Sequence, residues 1–513
     1  MPPRPLSGKV KLCLLAVLAA GALLRLWGID AGAPYRMGVD EPVVLQTTLG
    51  IVKSGDFNPH FFDYGGLFFS FHAAVSSIAF LDGAMHGRWR SLDAVWIGNL
   101  LTPTRIATAL VGTLTILLVF RAGVRWGPRV ALVAALALAV LPPHVRESHF
   151  ALTDTPLTFL VAASLLLSLR AAEVRTYAAV ALAGLVVGLA CAVKYNGLLA
   201  LVMPLTTVFA LPSETRVRAA GVAIAAAGVG FLAGAPYSLL DLPAFLNAFA
   251  TLMQSYNLTR PVTESASIYL GHLRNWLTWP GVMPVSLGYL GLGVILTGLA
   301  IADRHVMPPT PRLAALVLTL FPIAYFAYIA DHGSLIYGRY LLPIAPMLAI
   351  GFGIGSTRLA DAVGRRLPAL ERWALPIVLL LLVGPQIGTA VTWNRMHDRP
   401  STLEQTATWL LLHARDGQGV AMEGAPIQVP PRLVLHHVPQ LTQKAIEQYR
   451  EEGIVYLVAS SEISPALGAP GAFPADAVAA SRALFDRCTR VQTFEPNAVR
   501  QGPTIAILQL PAP

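Results

Sequence analysis

The sequence predicts a polytopic α-helical membrane protein of about eleven transmembrane helices, with interfacial helices on the outer face and a small C-terminal extracytoplasmic α/β domain. Three observations carry this. The 513 residues are 55% hydrophobic and only 13% charged, about half the charge of soluble domains, and mean hydropathy is +0.60. Apolar runs of about 17 to 22 residues, long enough to cross the hydrocarbon core, recur over the first four-fifths of the chain. Basic residues collect in alternate loops, as they do on the cytoplasmic side of a membrane.

The expected spans lie near 10–27, 103–123, 129–145, 155–170, 176–193, 197–211, 217–234, 283–302, 312–330, 340–357 and 373–393. The first starts after Arg4, Lys9 and Lys11 and lacks a small-x-small cleavage site, so it reads as a retained anchor. Arg121, Arg125 and Arg129 share one loop; Arg170 and Arg175, Arg216 and Arg218, Arg304 and Arg312, and Arg358, Arg365, Arg366 and Arg372 occupy others. All fall on one side together with the N-terminal basic residues, which puts the N-terminus in the cytoplasm and the C-terminus outside. The opposite short loops hold little more than Arg146, Lys194 and Arg339. The setting is a multi-pass protein of a bacterial inner or plasma membrane. Net charge is +9, which in such a chain reflects topology rather than nucleic-acid binding.

Between the first two spans, 42–54 reads as a short surface helix. The apolar segment 65–82 contains His72 and three serines. Counting it as a span would invert every later loop, so it is expected as an interfacial or re-entrant helix. Non-helical backbone at that depth must be buried in protein or line a wet cavity, so Ile29 to Leu101 is expected to fold over one. A second outer loop, Ala235 to Asn275, is rich in proline and tyrosine; Asp241-Leu242-Pro243 opens a surface helix there. Asn257-Leu258-Thr259 is a formal glycosylation sequon of low specificity. After Trp393 the composition shifts. Helices over 402–415 and 475–485 and strands over 419–422, 432–435, 454–458 and 504–510 predict the α/β domain. The division is therefore a membrane-embedded catalytic domain, 1–397, and a soluble domain, 398–513. Cys13, Cys191 and Cys488 form neither a disulfide framework nor a metal spacing.

Four stretches hold residues suited to chemistry, all on the outer side. Met37-Gly38-Val39-Asp40-Glu41-Pro42 places two adjacent carboxylates where the chain leaves the first span. They suit a general base, a metal ligand, or a solvated acidic loop. His144 to Pro156 compresses two histidines, an arginine, Glu147 and Asp154 between two spans. Asp154 also suits an N-cap, followed by an early helical proline. His144, Glu147 and His149 offer metal-ligand chemistry at a spacing that matches no strong motif. Lys194 stands at the outer end of a span, either snorkelling or as a point charge for a phosphate. Arg339 stands at another, either as an anchor or as a bidentate phosphate ligand. Carboxylates and cations on one face suit transfer of a group from a lipid-linked phosphate to an acceptor hydroxyl or amine. The alternative is a membrane transporter or lipid flippase; clustering of charge at one interface and the lack of repeated halves favour the enzyme. A scaffold would leave the acidic pairs without a role.

The order Asp40-Glu41, Asn58-Pro59-His60-Phe61-Phe62-Asp63-Tyr64, Ser148-His149-Phe150-Ala151-Leu152-Thr153-Asp154, Lys194-Tyr195-Asn196-Gly197 and Arg339-Tyr340-Leu341-Leu342-Pro343 resembles a lipid-carrier-dependent glycosyltransferase. The family is that of protein O-mannosyltransferases and aminoarabinose transferases, which have the C-type glycosyltransferase fold, and the resemblance covers about residues 10 to 395. It implies a polyprenyl- or dolichyl-phosphate sugar as donor, a glycan, lipid or protein acceptor, and a single displacement that inverts the anomeric carbon. It implies Asp40 as general base with Glu41 beside it, Asp154 as the second acid, and Arg339 with Lys194 on the carrier phosphate. His60, Asp63, Tyr64, His149, Tyr195, Asn196 and Tyr340 would line the pocket. A divalent metal ion is the one cofactor considered, with Asp40, Asp154 and His149 as candidate ligands. The chain departs from the family where many members carry a lysine-proline pair and it reads Tyr64-Gly65-Gly66. It also lacks a clear counterpart of the inserted acceptor-binding domain of eukaryotic protein mannosyltransferases, which weakens a protein acceptor.

Overall fold

The computed structural model describes residues 6–256, 261–277, 311–331, 336–469 and 471–511. The chain forms two compact units: Met1–Trp27, Gly50–Ser77 and Thr104–Asn394 in the first, and Gly28–Leu49, Ile78–Pro103 and Arg395–Pro513 in the second. The helices in order are α1 (Gly8–Leu26), α2 (Glu41–Ser54), α3 (Gly66–Met85), α4 (Ile97–Gly123), α5 (Pro128–Val140), α6 (Pro142–Glu147), α7 (Asp154–Val174) and α8 (Tyr177–Cys191). There follow α9 (Val202–Thr207), α10 (Arg216–Gly234), α11 (Tyr237–Leu240), α12 (Leu242–Tyr256), α13 (Val262–Leu277), α14 (Pro311–Asp331), α15 (Ala345–Arg366) and α16 (Glu371–His397).

Among the described residues seven helical stretches are long and apolar enough to cross a membrane: Gly66–Met85, Ile97–Trp126, Asp154–Val174, Ser213–Gly234, Leu313–Asp331, Gly338–Arg366 and Pro368–His397. This is an integral membrane protein, and six of the expected eleven spans fall on these seven stretches. The segments expected at 129–145, 176–193 and 197–211 are helical but shorter, and Lys9, Lys11 and Arg25 charge α1. The span expected at 283–302 and the sequon at 257–259 lie outside the described residues. Conversely α3, expected at the interface, is one continuous 20-residue helix that meets the length and hydropathy of a span.

Small residues let helices of the first unit approach closely. A Cβ on Gly188 would lie 2.0 Å from the Ala227 carbonyl oxygen, and one on Gly184 2.4 Å from that of Ala223. From the other side, a Cβ on Gly230 would lie 2.1 Å from the Leu185 carbonyl oxygen. Thus α8 and α10 touch backbone to backbone, the device membrane helices use where no hydrophobic force drives them together.

In the second unit, α17 (Thr402–His413), α18 (Ile446–Glu451) and α19 (Ala475–Asp486) accompany strands β1 (Gly419–Met422), β2 (Val434–His437), β3 (Ile454–Ser460), β4 (Thr489–Phe494) and β5 (Ile505–Gln509). The sheet order is β2-β1-β3-β5-β4, with β2, β1 and β3 parallel and β5 antiparallel to both β3 and β4. Alternation along the central strands feeds two cores. Val420, Met422, Tyr456, Val458, Ile505 and Ile507 meet Leu403 and Leu410 of α17. Ala421, Leu457, Ala459, Ala506 and Leu508 meet Ile446 and Tyr449 of α18 and Leu484 and Phe485 of α19. Strands covered on both faces read as continuous apolar runs, as β1, β3 and β5 do.

Candidate active site

The site in the first unit is built from three chain reversals. The first lies between α5 and α7. Pro142 and Pro143 open α6, where a missing N–H costs no hydrogen bond. The chain then turns through Ser148 and His149 into α7. Asp154 is the first helical residue, with Thr153 in the cap position, so Asp154 is a first-turn acid rather than the N-cap itself. A carboxylate there is favoured by the helix dipole. The second reversal ends α8 at Cys191 and starts a 3-10 turn, Tyr195–Leu201, with Lys194 at its head. The third is the 3-10 turn Gly338–Ile344, which carries Arg339 and Tyr340.

These reversals bring three charges together. Lys194 Nζ lies 2.8 Å from Asp154 Oδ1 and Arg339 Nε 3.4 Å from Asp154 Oδ2. The Asp154 side chain is only 3% exposed, against 14% for Lys194 and 15% for Arg339. The Lys194 ammonium sits 4.4 Å from the Tyr340 ring centroid, and the Arg339 guanidinium 4.3 Å from that of Tyr337, both within cation–π range. Glu147 joins the group. Burial pushes its carboxyl up to about 7 and the charge of Asp154 adds to this, while Arg146, Arg339 and Lys194 pull it down.

The neighbouring pocket candidates are tied to the same turns. The Tyr195 hydroxyl donates to the Phe62 carbonyl at 2.6 Å, and the Asn196 amide donates to the Tyr325 hydroxyl at 2.9 Å. Gly65 N–H donates to the Val193 carbonyl at 3.2 Å and Leu67 N–H to the Ala192 carbonyl at 3.0 Å. A Cβ on Gly65 would lie 2.0 Å from the Ala192 oxygen. Here is the physical reason for Tyr64-Gly65-Gly66: the loop lies flat on the end of α8, where only glycine fits and a proline would lose the bond to Val193. Asp63 is exposed, and burial of part of its surface raises its carboxyl. His60 is exposed and its Nε2 lies 2.9 Å from Asp56 Oδ2. It is held there by a local chain of side-chain bonds: Asn58 N–H to Asp56 Oδ1, His60 N–H to Asn58 Oδ1, and Asn58 Nδ2 to Asp241 Oδ2.

The histidines of the 144–156 stretch serve helix ends. Arg25, fully buried in α1, donates to the carbonyls of Gly21 and Ala139 at 2.8 Å and of Leu138 at 3.1 Å, and to His144 Nδ1 at 2.9 Å. Leu138 and Ala139 belong to the last turn of α5, where carbonyls run out of regular i+4 partners; the Leu138 carbonyl also accepts the Leu141 N–H at 3.4 Å. His149 faces the carbonyl of Val145 through Nδ1 at 2.8 Å and that of Trp27 through Nε2 at 3.0 Å, and packs edge-on against Trp393. Burial lowers its pKa, against the pull of the two carbonyls. The idea of a His144–Glu147–His149 metal set is therefore corrected: Arg25 occupies one histidine and backbone carbonyls the other. Among the described residues, no three His, Cys, Asp or Glu side chains converge to hold a metal ion. Arg25 was missed as a participant, although an arginine inside an apolar segment was the available signal.

Asp40 and Glu41 belong to the second unit. The Asp40 carbonyl accepts Val44 N–H at 3.2 Å, the bond expected of a residue at a helix start. Glu41 is fully buried, and its Oε2 accepts Gly38 N–H at 2.7 Å, while Asp40 is partly exposed. The adjacent acids thus differ: one is buried and locks the turn, the other keeps part of its surface open. The segment before them is braced by the α/β domain. Arg36 Nε lies 3.3 Å from Glu404 Oε1, Gln428 N–H donates to the Tyr35 carbonyl at 2.7 Å, and Tyr35 stacks on Trp96. No local pattern in the sequence pointed to Glu404 or Gln428.

Residues 94–240 match the family model described as dolichyl-phosphate-mannose-protein mannosyltransferase. That region holds Asp154, Lys194 and Asn196 but neither Asp40 nor Arg339. No curated protein matches by sequence. Among solved structures, ArnT from Cupriavidus metallidurans bound to undecaprenyl phosphate aligns at a TM-score of 0.58 and 17% identity, over 96% of this chain and 97% of that one. The apo oligosaccharyltransferase of Archaeoglobus fulgidus aligns at 0.57 and 15% identity, over 89% of this chain and 70% of that one. The fold of this chain is similar to that of these two membrane glycosyltransferase structures.

Proposed function

We propose that the chain is a glycosyltransferase that moves a sugar from a polyprenyl-phosphate donor to an acceptor hydroxyl or amine on the extracytoplasmic face of a bacterial membrane. The observation that carries this is the convergence of Lys194 and Arg339 on one buried carboxylate, in a fold shared with a protein solved with undecaprenyl phosphate bound. Two cations flanked by tyrosine rings suit a phosphate that is both recognition element and leaving group.

In this reading the acceptor oxygen or nitrogen attacks the anomeric carbon from the face opposite the phosphate. The bond from that carbon to the phosphate oxygen breaks, its electron pair stays on the phosphate, and Lys194 and Arg339 hold the charge that develops. Asp40 takes the acceptor proton. Glu41, locked to Gly38, fixes the turn from which Asp40 acts. One displacement inverts the anomeric configuration. Tyr64, Tyr195, Asn196, Tyr340, Asp63, His60 and His149 line the sugar and phosphate pocket.

The test is transfer of radiolabelled sugar from a panel of polyprenyl-phosphate sugars by membranes containing wild type or Asp40→Asn. Transfer by wild type and its loss, by about a hundredfold or more, in Asp40→Asn is the expected outcome. A folded wild type that neither transfers from nor binds any polyprenyl phosphate would refute the reading.

A further inference from the structure

Lys194 and Arg339 already share an anion. Asp154 directs a different oxygen to each: Oδ1 to the ammonium at 2.8 Å and Oδ2 to the guanidinium at 3.4 Å. Two oxygens on one centre, each facing one cation, is also how a phosphate would engage the pair. The carboxylate is almost wholly buried, whereas both cations keep a share of their surface open. An incoming anion therefore reaches the cations from their open side and meets the carboxylate as a rival.

We propose that Asp154 is the exchangeable counter-ion of this site: its carboxylate holds Lys194 and Arg339 until the carrier phosphate displaces it, and reclaims them when the product phosphate leaves. The inference rests on the phosphate-binding role proposed above. Charge arithmetic supports the cycle. The three groups in direct contact, two cations and one carboxylate, sum to one positive charge. The donor phosphodiester brings one negative charge, and the phosphomonoester left after transfer brings up to two. The product thus binds the cations more strongly than the donor does, and a returning carboxylate is what loosens it. Two half-buried cations side by side without any anion would repel each other, so the exchange also keeps the empty site folded.

A residue that merely orients the two cations would weaken phosphate binding when neutralised. A competitor strengthens it. The experiment measures binding of polyprenyl monophosphate to the full chain in detergent for wild type, Arg339→Ala, Asp154→Asn and Asp154→Ser, with thermal unfolding to confirm that each is folded. It adds the infrared difference spectrum of the carboxylate stretch on binding. Expected are binding by wild type, its loss in Arg339→Ala, and tightening of about tenfold in both Asp154 variants, between the effects of exposed and buried pairs. A shifted carboxylate band is expected in wild type and none in Asp154→Asn. Unchanged or weaker binding in folded Asp154 variants overturns the exchange while leaving the phosphate site standing. Tighter binding without a carboxylate shift in wild type also overturns it, since a distant field alone would suffice. No binding by wild type overturns both readings.

Discussion

Glu147→Gln isolates the cost of keeping a carboxyl buried among the charges of the site. The Glu147 side chain is 6% exposed, and burial, aided by Asp154, raises its carboxyl from 4.5 to about 7. The sign follows from proton binding. Between pH 4.5 and 7 the folded protein keeps a proton that the unfolded chain has released, so stability falls as pH rises through that window. Below it both states are protonated and the cost vanishes; above it both are ionised and the cost is complete. The shift is worth about 3 kcal/mol at pH 8. Glutamine matches the shape and cannot ionise. Thermal unfolding of the two proteins in detergent should coincide at pH 4.5 and separate steadily to pH 8, with Glu147→Gln the more stable by about that amount. A separation that does not change with pH, or wild type gaining stability with rising pH, would refute the reasoning.

Two further outcomes follow from packing. Arg25→Leu removes the donors to Leu138, Ala139 and His144 and should cost about 2–4 kcal/mol, read as a lower unfolding temperature; a change under about 0.5 kcal/mol would mean that the α5 carbonyls find other partners. Gly188→Ala drives a methyl to within 2.0 Å of backbone and should cost about 1–3 kcal/mol, while Gly228→Ala in the same helix pair, with nothing within 4 Å of the new carbon, should be neutral or slightly stabilising; equal effects would refute the close-contact account.

How much of this was legible in the sequence depended on whether a signal was local. The central strands announced themselves as apolar runs, because burial on both faces leaves nothing polar in Ile454–Ala459 or Ile505–Leu508. Edge strand β4, Thr-Arg-Val-Gln-Thr-Phe, did not, because none of its residues is fully buried; β2, which begins two residues later than expected, has no fully buried residue either. Lys194, Arg339 and Asp154 were readable because an isolated charge at an apolar boundary needs a reason, and their mutual pairing supplies it. The distant partners of Arg25 were not, since they lie 113, 114 and 119 residues away. Nor was the bracing of the Asp40 segment by Glu404, where each residue alone looks like an ordinary surface charge.

The contact of α8 with α10 also has a mechanical meaning. Where carbonyl oxygens fill the hollows left by Gly184, Gly188 and Gly230, neither helix can slide or roll without driving an atom into backbone. The pair behaves as a girder. Lys194 leaves one end of it through the bond of its N–H to Ala190, so one phosphate-binding candidate is bolted to a part that does not yield. Any displacement beside Lys194 must then be taken up by the turns that face this girder, with the Lys194 end as the fixed point.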